Sequence, residues 1–366
     1  MTDRESLTPQ SEPCLVTCEL DAGFAAWMSQ LGGSLAVTTY QANRLALVGW
    51  NGAQVSLLMR EFDKPMGLAA HENRLAIATR HEVLLLANAP LLAPDLVEEE
   101  PGRYDALYLP RASFITGDAN VHDVAFGADS LWLVNTRFSC LCQPGADYSF
   151  LPRWRPPFIS ELAPEDRCHL NGLAIEAGVP RFVTALGESD AVGGWRDQKA
   201  RGGVVVDVAN NQVVLRGLSM PHSPRIYDGA LWLLNSGKGE FICANLVRGD
   251  HTVVCALPGY LRGLCFVGPY AVVGLSQIRE RHIFGGLPVH ERFSQLQCGL
   301  AVVDLRTGQS IGMLRFTAGC QELFDICYLP GVRRPTVLNR ESEQAREAFT
   351  APEFSYWLRP SSEVRE

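Results

Sequence analysis

With 366 residues, 47% hydrophobic and 20% charged, the chain has the make-up of a folded protein with a large core, which excludes a disordered body. A net charge of −8 argues against nonspecific nucleic-acid binding through a Lys/Arg surface, and no run of about 18 apolar residues is there to cross a bilayer. The eleven cysteines are scattered, mostly within apolar runs, with one C-x-C pair (Cys140, Cys142) and no C-x-x-C, the pattern of buried thiols in a reducing cytoplasm rather than a disulfide framework.

Residues 1–13 are polar, lack a signal-peptide pattern and read as a disordered leader. From there short β-type runs follow one another, at 35–39, 44–48 and 54–60, broken by Gly, Asn and polar pairs. A repeat then emerges. Residues 121–136 (VHDVAFGADSLWLVNT) align without a gap on 221–236 (PHSPRIYDGALWLLNS), pairing His122 with His222, Trp132 with Trp232 and Asn135 with Asn235. The same unit recurs at 65–80, 169–185, 261–276 and from 322, placing Met66, Asn171, Arg262 and Phe324 in the register of His122. Repeats of this size mark stacked units, and six copies predict an all-β, six-bladed β-propeller over 14–339. The last copy has few strands after it and the first three strands have no inner partner. The N-terminal strands therefore pair with the C-terminal inner strand and close the ring. Residues 88–119 read as an inserted solvated loop around Glu98 to Glu100, and 340–366 as a charged peripheral tail.

In a four-stranded antiparallel blade, the start of the inner strand shares a face with the loop entering it and the loop joining strands two and three. The long connections 143–167, 186–202 and 277–297 all fall on that face. His122 and His222 stand at its channel mouth, and His169 lies two residues before Asn171, on the same side of a strand. Three imidazoles around an axis suit a divalent transition metal (Zn, Fe, Mn or Cu) better than Ca or Mg. Glu322 and Asp123 are the candidate general bases and Arg262 a clamp for an anionic substrate. Asn135, Arg137, Asn171, Asp190, Trp195, Arg196, Arg225, Asn235 and Lys238 are the further candidate ligand contacts. Three readings stay open: a metal-dependent hydrolase or lyase acting on a small polar or anionic metabolite or a peptide, a propeller that binds a small ligand or a partner protein without catalysis, and histidines that only hold the blades together. Trp132 and Trp232 are expected between blades, Trp154 and Trp195 in rim loops.

The stretches LWLVNTRFSCL, FISELAPEDRCHLNGLA, TALGESD followed by GGWR, GLSMPHSPR, LWLLNSGKGE, LPGYLRGL and VGLSQIRE resemble those of a bacterial family known as a domain of unknown function, over roughly 30–335. That resemblance implies the repeat and the rim loops, and no activity. More distantly the blades are similar to gluconolactonase-type six-bladed propellers, which hold a divalent ion on the axis with Glu, Asn and Asp. Here His122 and His222 stand in the ring, which counts against calcium and lactone chemistry.

Overall fold

The computed structural model describes residues 15–278 and 285–358; the leader expected over 1–13 lies outside the described residues. Six antiparallel sheets form the blades of a propeller. Blade 1 holds Gly33–Thr38, Arg44–Trp50 and Val55–Glu61, completed on the inside by Ile326–Pro330, in register from Gly33↔Pro330 to Val37↔Ile326. The ring thus closes by the expected pairing of chain ends. Blades 2 to 6 begin with the inner strands Leu68–His71, Val121–Phe126, Leu170–Glu176, Pro221–Tyr227 and Tyr260–Val267. Each inner strand ends its sheet, so its outer edge faces the axis.

Apolar side chains on the two faces of each sheet pack between blades, and burying each large one contributes about 1.5–3 kcal/mol. Trp132 packs with Leu170 and Leu173 between blades 3 and 4, and Trp232 with Leu261 and Leu264 between blades 5 and 6, the expected inter-blade positions. A helix that periodicity did not reveal, Ala22–Gln30, is capped by Asp21, whose Oδ1 accepts from the Phe24 N–H at 2.8 Å. It buries Phe24, Trp27 and Met28 against blades 6 and 1, while Thr17–Leu20 adds a fifth strand to blade 6.

One expectation about loops needs correction. Residues 88–119 are not one solvated insertion: Ala106–Ile115 is the outer strand of blade 2, and the turn before it buries Leu92 and Leu96, although Glu98, Glu99 and Glu100 are exposed. Ahead of the tail, Pro335–Val337 pairs parallel with that outer strand; within the tail, a ribbon of Ala348–Ala351 and Phe354–Trp357 packs Ala348 and Trp357 on the Leu92 cluster. Among the described residues no helix is long and apolar enough to cross a membrane.

An alternation runs around the axis. The residue after each register position is Asp123, Ser223 or Asp325 in blades 3, 5 and 1, and glycine (Gly67, Gly172, Gly263) in blades 2, 4 and 6. Each polar side chain reaches a main-chain N–H of the next blade: Leu173 N to Asp123 at 2.9 Å, Gly263 N to Ser223 at 3.0 Å, and Leu68 N to Asp325 at 3.1 Å. The glycines make room. A Cβ on Gly67 would sit 2.8 Å from the Asp123 Cα, and one on Gly172 would sit 2.3 Å from Pro224. The propeller is therefore three pairs of blades as well as six blades.

Candidate functional site

Arg225 divides the channel. Its Nη1 donates to Asp123 at 3.0 Å and to the Leu173 and Pro224 carbonyls at 3.1 and 2.9 Å; its Nη2 donates to both oxygens of Asp325 at 3.1 and 3.3 Å. Asp123 and Asp325 also accept from Val124 N and Ile326 N, so this latch ties blades 1, 3 and 5 across the axis. Burial pushes the Asp325 carboxyl up to about 7, with Arg225 pulling it down and Asp123 pushing it further up. Asp123 and Arg225 are thus latch residues beneath the mouth, not groups on its rim.

Above the latch, the mouth brings the three histidines to one side. The His122 and His169 rings meet edge to face with centroids 4.7 Å apart, His122 also touches Phe324 at 5.3 Å, and His169 packs on Trp195 at 4.5 Å. His222 meets Tyr260 at 5.3 Å. The Arg262 guanidinium lies over the rings of Tyr260 and Phe324 at 5.2 and 5.1 Å, linking the two ends of the mouth. Buried Glu322 stands close enough to Tyr260 to help burial raise that phenol.

The hydrogen bonds fix how these imidazoles present themselves. His222 Nδ1 is 2.8 Å from the Met220 carbonyl, which can only accept, so Nδ1 carries the proton. His122 Nδ1 is 2.9 Å from the Asn120 carbonyl and 2.8 Å from Thr136 Oγ1, whose own hydrogen goes to the Leu170 carbonyl at 2.6 Å. It is protonated at Nδ1 for the same reason. His169 Nδ1 is held by both Asp166 oxygens at 2.9 and 3.0 Å. In His122 and His222 Nε2 is left as an acceptor, and His222 Nε2 is buried with no partner. Burial, then neighbouring His169, holds His122 well below the ordinary imidazole value; burial, then Arg262, does so for His222. Burial pushes the Asp166 carboxyl up, but the charge and hydrogen bond of His169 and the Trp195 indole N–H outweigh it, and the net shift is down.

His169 reaches the mouth by a different route from strand alternation. It precedes its strand in a left-handed conformation, φ 51°, as does Asp166 at φ 48°, and the pair bonds across that turn. Ser223, also left-handed at φ 50°, sits in a bulge of its inner strand and turns away from His222 to bond Gly263.

The remaining expected contacts divide. Trp195 and Arg196 belong to the mouth: the Trp195 indole donates to Asp166 at 3.1 Å, and Arg196 stacks on Trp195 at 4.5 Å and reaches Asp166 at 3.5 Å. Asn171 is buried at its register position. Asn135 and Asn235 are fully buried turn holders, accepting from Phe138 N at 3.0 Å and Ser219 N at 2.7 Å. Arg137 pairs with Asp118 at 2.6 Å on the surface, and Asp190 anchors Arg167 at 2.9 Å in the rim loop. The Lys238 carbonyl accepts from Arg292 at 3.3 Å, which helps seat the helix Val289–Arg292 on this turn. Trp154 is not in a rim loop but in the outer strand of blade 3, bonded to Asn211 at 2.6 Å. Tyr260 escaped notice in the sequence. Tyr260 had a signal, since it precedes Arg262 by two residues as His169 precedes Asn171 and Glu322 precedes Phe324.

Among the described residues, no group of three or more His, Cys, Asp or Glu side chains is arranged to hold one metal ion. His122 and His169 pack on each other, and His222 packs on Tyr260.

Comparison with known proteins adds the family and the fold. Residues 22–338 match the family model described as Domain of unknown function (DUF4915). No curated protein matches the chain. Among solved structures, a protein of unknown function from Bacteroides caccae is 10% identical with a TM-score of 0.50, over 81% of this chain and 99% of that one. A chain of a nidogen/laminin complex is 8% identical with a TM-score of 0.46, over 82% and 99%. Virginiamycin B lyase from Staphylococcus aureus is 9% identical with a TM-score of 0.39, over 64% and 71%. The likeness to the Bacteroides caccae protein is one of fold alone.

Proposed function

The chain belongs to this family of unknown function, and from that premise we propose that its histidine mouth binds a small polar anion bearing hydroxyl or amino groups. The observation that carries this reading is the anchoring of His122 and His222 through Nδ1, which leaves two Nε2 acceptors beside the guanidinium of Arg262. Neutral imidazoles accept from hydroxyl or amino donors, while Arg262, stacked between two rings, attracts a carboxylate or phosphate. A buried acceptor with no partner, such as His222 Nε2, costs about 1–3 kcal/mol until a ligand donor meets it. The Asp166–His169 pair equips His169 to take a proton from such a ligand, the step a lyase or hydrolase would use. Calorimetric titration with malate and glycerate against the hydroxyl-free succinate and propionate tests this. The hydroxylated anions should bind at least about tenfold tighter, His222→Ala should abolish that preference, and Arg262→Met should weaken all four anions; indifference to the hydroxyl or to both variants contradicts it.

A second reading is favoured by the same Nδ1 anchors, which are how proteins orient histidine ligands to metals. Drawn together around it, His122, His169 and His222 would then hold a transition metal, which would polarise the substrate or activate water for a metal-dependent hydrolase or lyase, with Glu322 as base. Elemental analysis of protein purified without a chelating tag separates the two. Stoichiometric metal lost in His122→Ala/His222→Ala supports the second, and metal-free protein that still binds the hydroxylated anions removes it.

A further inference from the structure

On the far side of the latch, the second halves of the six inner strands enclose a cavity of about 650 Å³ that opens on the opposite face of the propeller. Its size is that of a small-molecule site. We infer that this half of the channel is a separate ligand site, built for a small organic cation such as an amine or a quaternary ammonium.

Three features carry the inference. The floor is charged and its positive group is used up. Arg225 spends Nη1 on one carboxylate and two carbonyls and Nη2 on a second carboxylate, so two buried carboxylates face one guanidinium. An anion entering here meets excess negative charge and engaged donors; a cation relieves that excess in a setting of low dielectric. The walls suit a cation as well. The inner strands present their free edges, which carry main-chain carbonyls, as the Leu173 carbonyl already shows by accepting from Arg225. Around the opening stand the rings of Phe126, Tyr227, Phe266 and Tyr328, with Tyr227 and Phe266 stacked at 4.4 Å. One of these rings already holds a cation on the rim, where the Arg74 guanidinium lies 5.1 Å over Phe126. Glu72 adds a carboxylate at the opening, beside His71. An apolar neutral ligand of the same shape would fill the walls but gain nothing from the floor.

The probes are choline and benzylamine, each against a neutral isostere, 3,3-dimethylbutan-1-ol and benzyl alcohol, titrated calorimetrically into the full chain. The cations should bind saturably and at least about tenfold tighter than the isosteres. Tyr227→Leu should weaken choline by about tenfold, whereas His222→Ala, in the other mouth, should leave it unchanged. If Tyr227→Leu does not fold, the wild type still decides through pH. Asp325 faces Arg225, Asp123, Cys265 and Cys327, and its carboxyl, pushed up by burial to about 7, loses its proton near neutrality. Choline, whose charge is fixed, should bind several-fold more tightly at pH 8 than at pH 6. Equal affinity for cation and isostere, the absence of saturable binding by either cation, a His222→Ala effect as large as that of Tyr227→Leu, or a pH profile flat through this range would each overturn the site.

Discussion

The two halves of the channel are built from the same six strands and differ in what fills their centre. Above the latch, side chains of unlike chemistry converge: imidazoles, a guanidinium, a carboxylate and aromatic rings, in part supplied by loops 155–169 and 186–202. Below it, the strand edges themselves form the wall. The difference teaches that a propeller writes its scaffold in inter-blade packing and its chemistry in the first residues of each inner strand, where neighbours vary from blade to blade. The latch is the boundary, and it serves the scaffold.

The largest effect expected is therefore at the boundary. Arg225→Met leaves Asp123 and Asp325 buried without their shared cation and should cost about 3–5 kcal/mol, read as a lower urea midpoint. A loss under about 1 kcal/mol would mean that the halves are not joined there.

Next comes pH, on which the two regions have opposite signs. His122 and His222 titrate lower in the folded than in the unfolded chain, so the unfolded chain binds more protons. Their contribution is intact above the unfolded value of about 6.5 and falls by about 1.4 kcal/mol per pH unit for each histidine as pH drops below it. Asp325 titrates higher in the folded chain, so the folded chain holds the extra proton and stability declines as pH rises from about 4 to about 7. From pH 5 to about 6.5, stability should accordingly rise more steeply with pH in Asp325→Asn than in the wild type, and should instead fall with pH in His122→Gln/His222→Gln. Equal slopes in both variants would erase the distinction.

A smaller effect sharpens the upper half. Thr136→Val removes the hydroxyl that links His122 to the Leu170 carbonyl and should cost about 1–2 kcal/mol. Smaller still, Trp195→Phe keeps the ring beside His169 but removes the indole donor to Asp166. It should cost about 0.5–1.5 kcal/mol in thermal melts.

Much of this molecule is legible in its sequence. The ungapped alignment of His122 on His222 carried the blade count, and the orphaned strands at the two ends carried the ring closure. The alternation of Gly67, Gly172 and Gly263 with Asp123, Ser223 and Asp325 was also present, since a Cβ at each of these glycines would come within 3.0 Å of the next blade's inner strand. What stayed hidden depended on distance between blades. Nothing in the spacing of Asp123, Arg225 and Asp325 says that a guanidinium spans the axis, and that contact moved two candidate site residues into the scaffold. His169 and Asp166 pair through left-handed backbone, which strand periodicity cannot foresee. The helix Ala22–Gln30 was missed because its apolar residues serve two blades and leave no clear stripe.

The central claim is that the mouth presents imidazole acceptors, and histidine tautomers report it directly. In long-range proton–nitrogen spectra of histidine-labelled protein at pH 7, His122 and His222 should each show a protonated Nδ1 and a bare Nε2, with the Nε2 signals shifting when malate is added. Protonated Nε2, or charged imidazolium rings at that pH, would contradict the account.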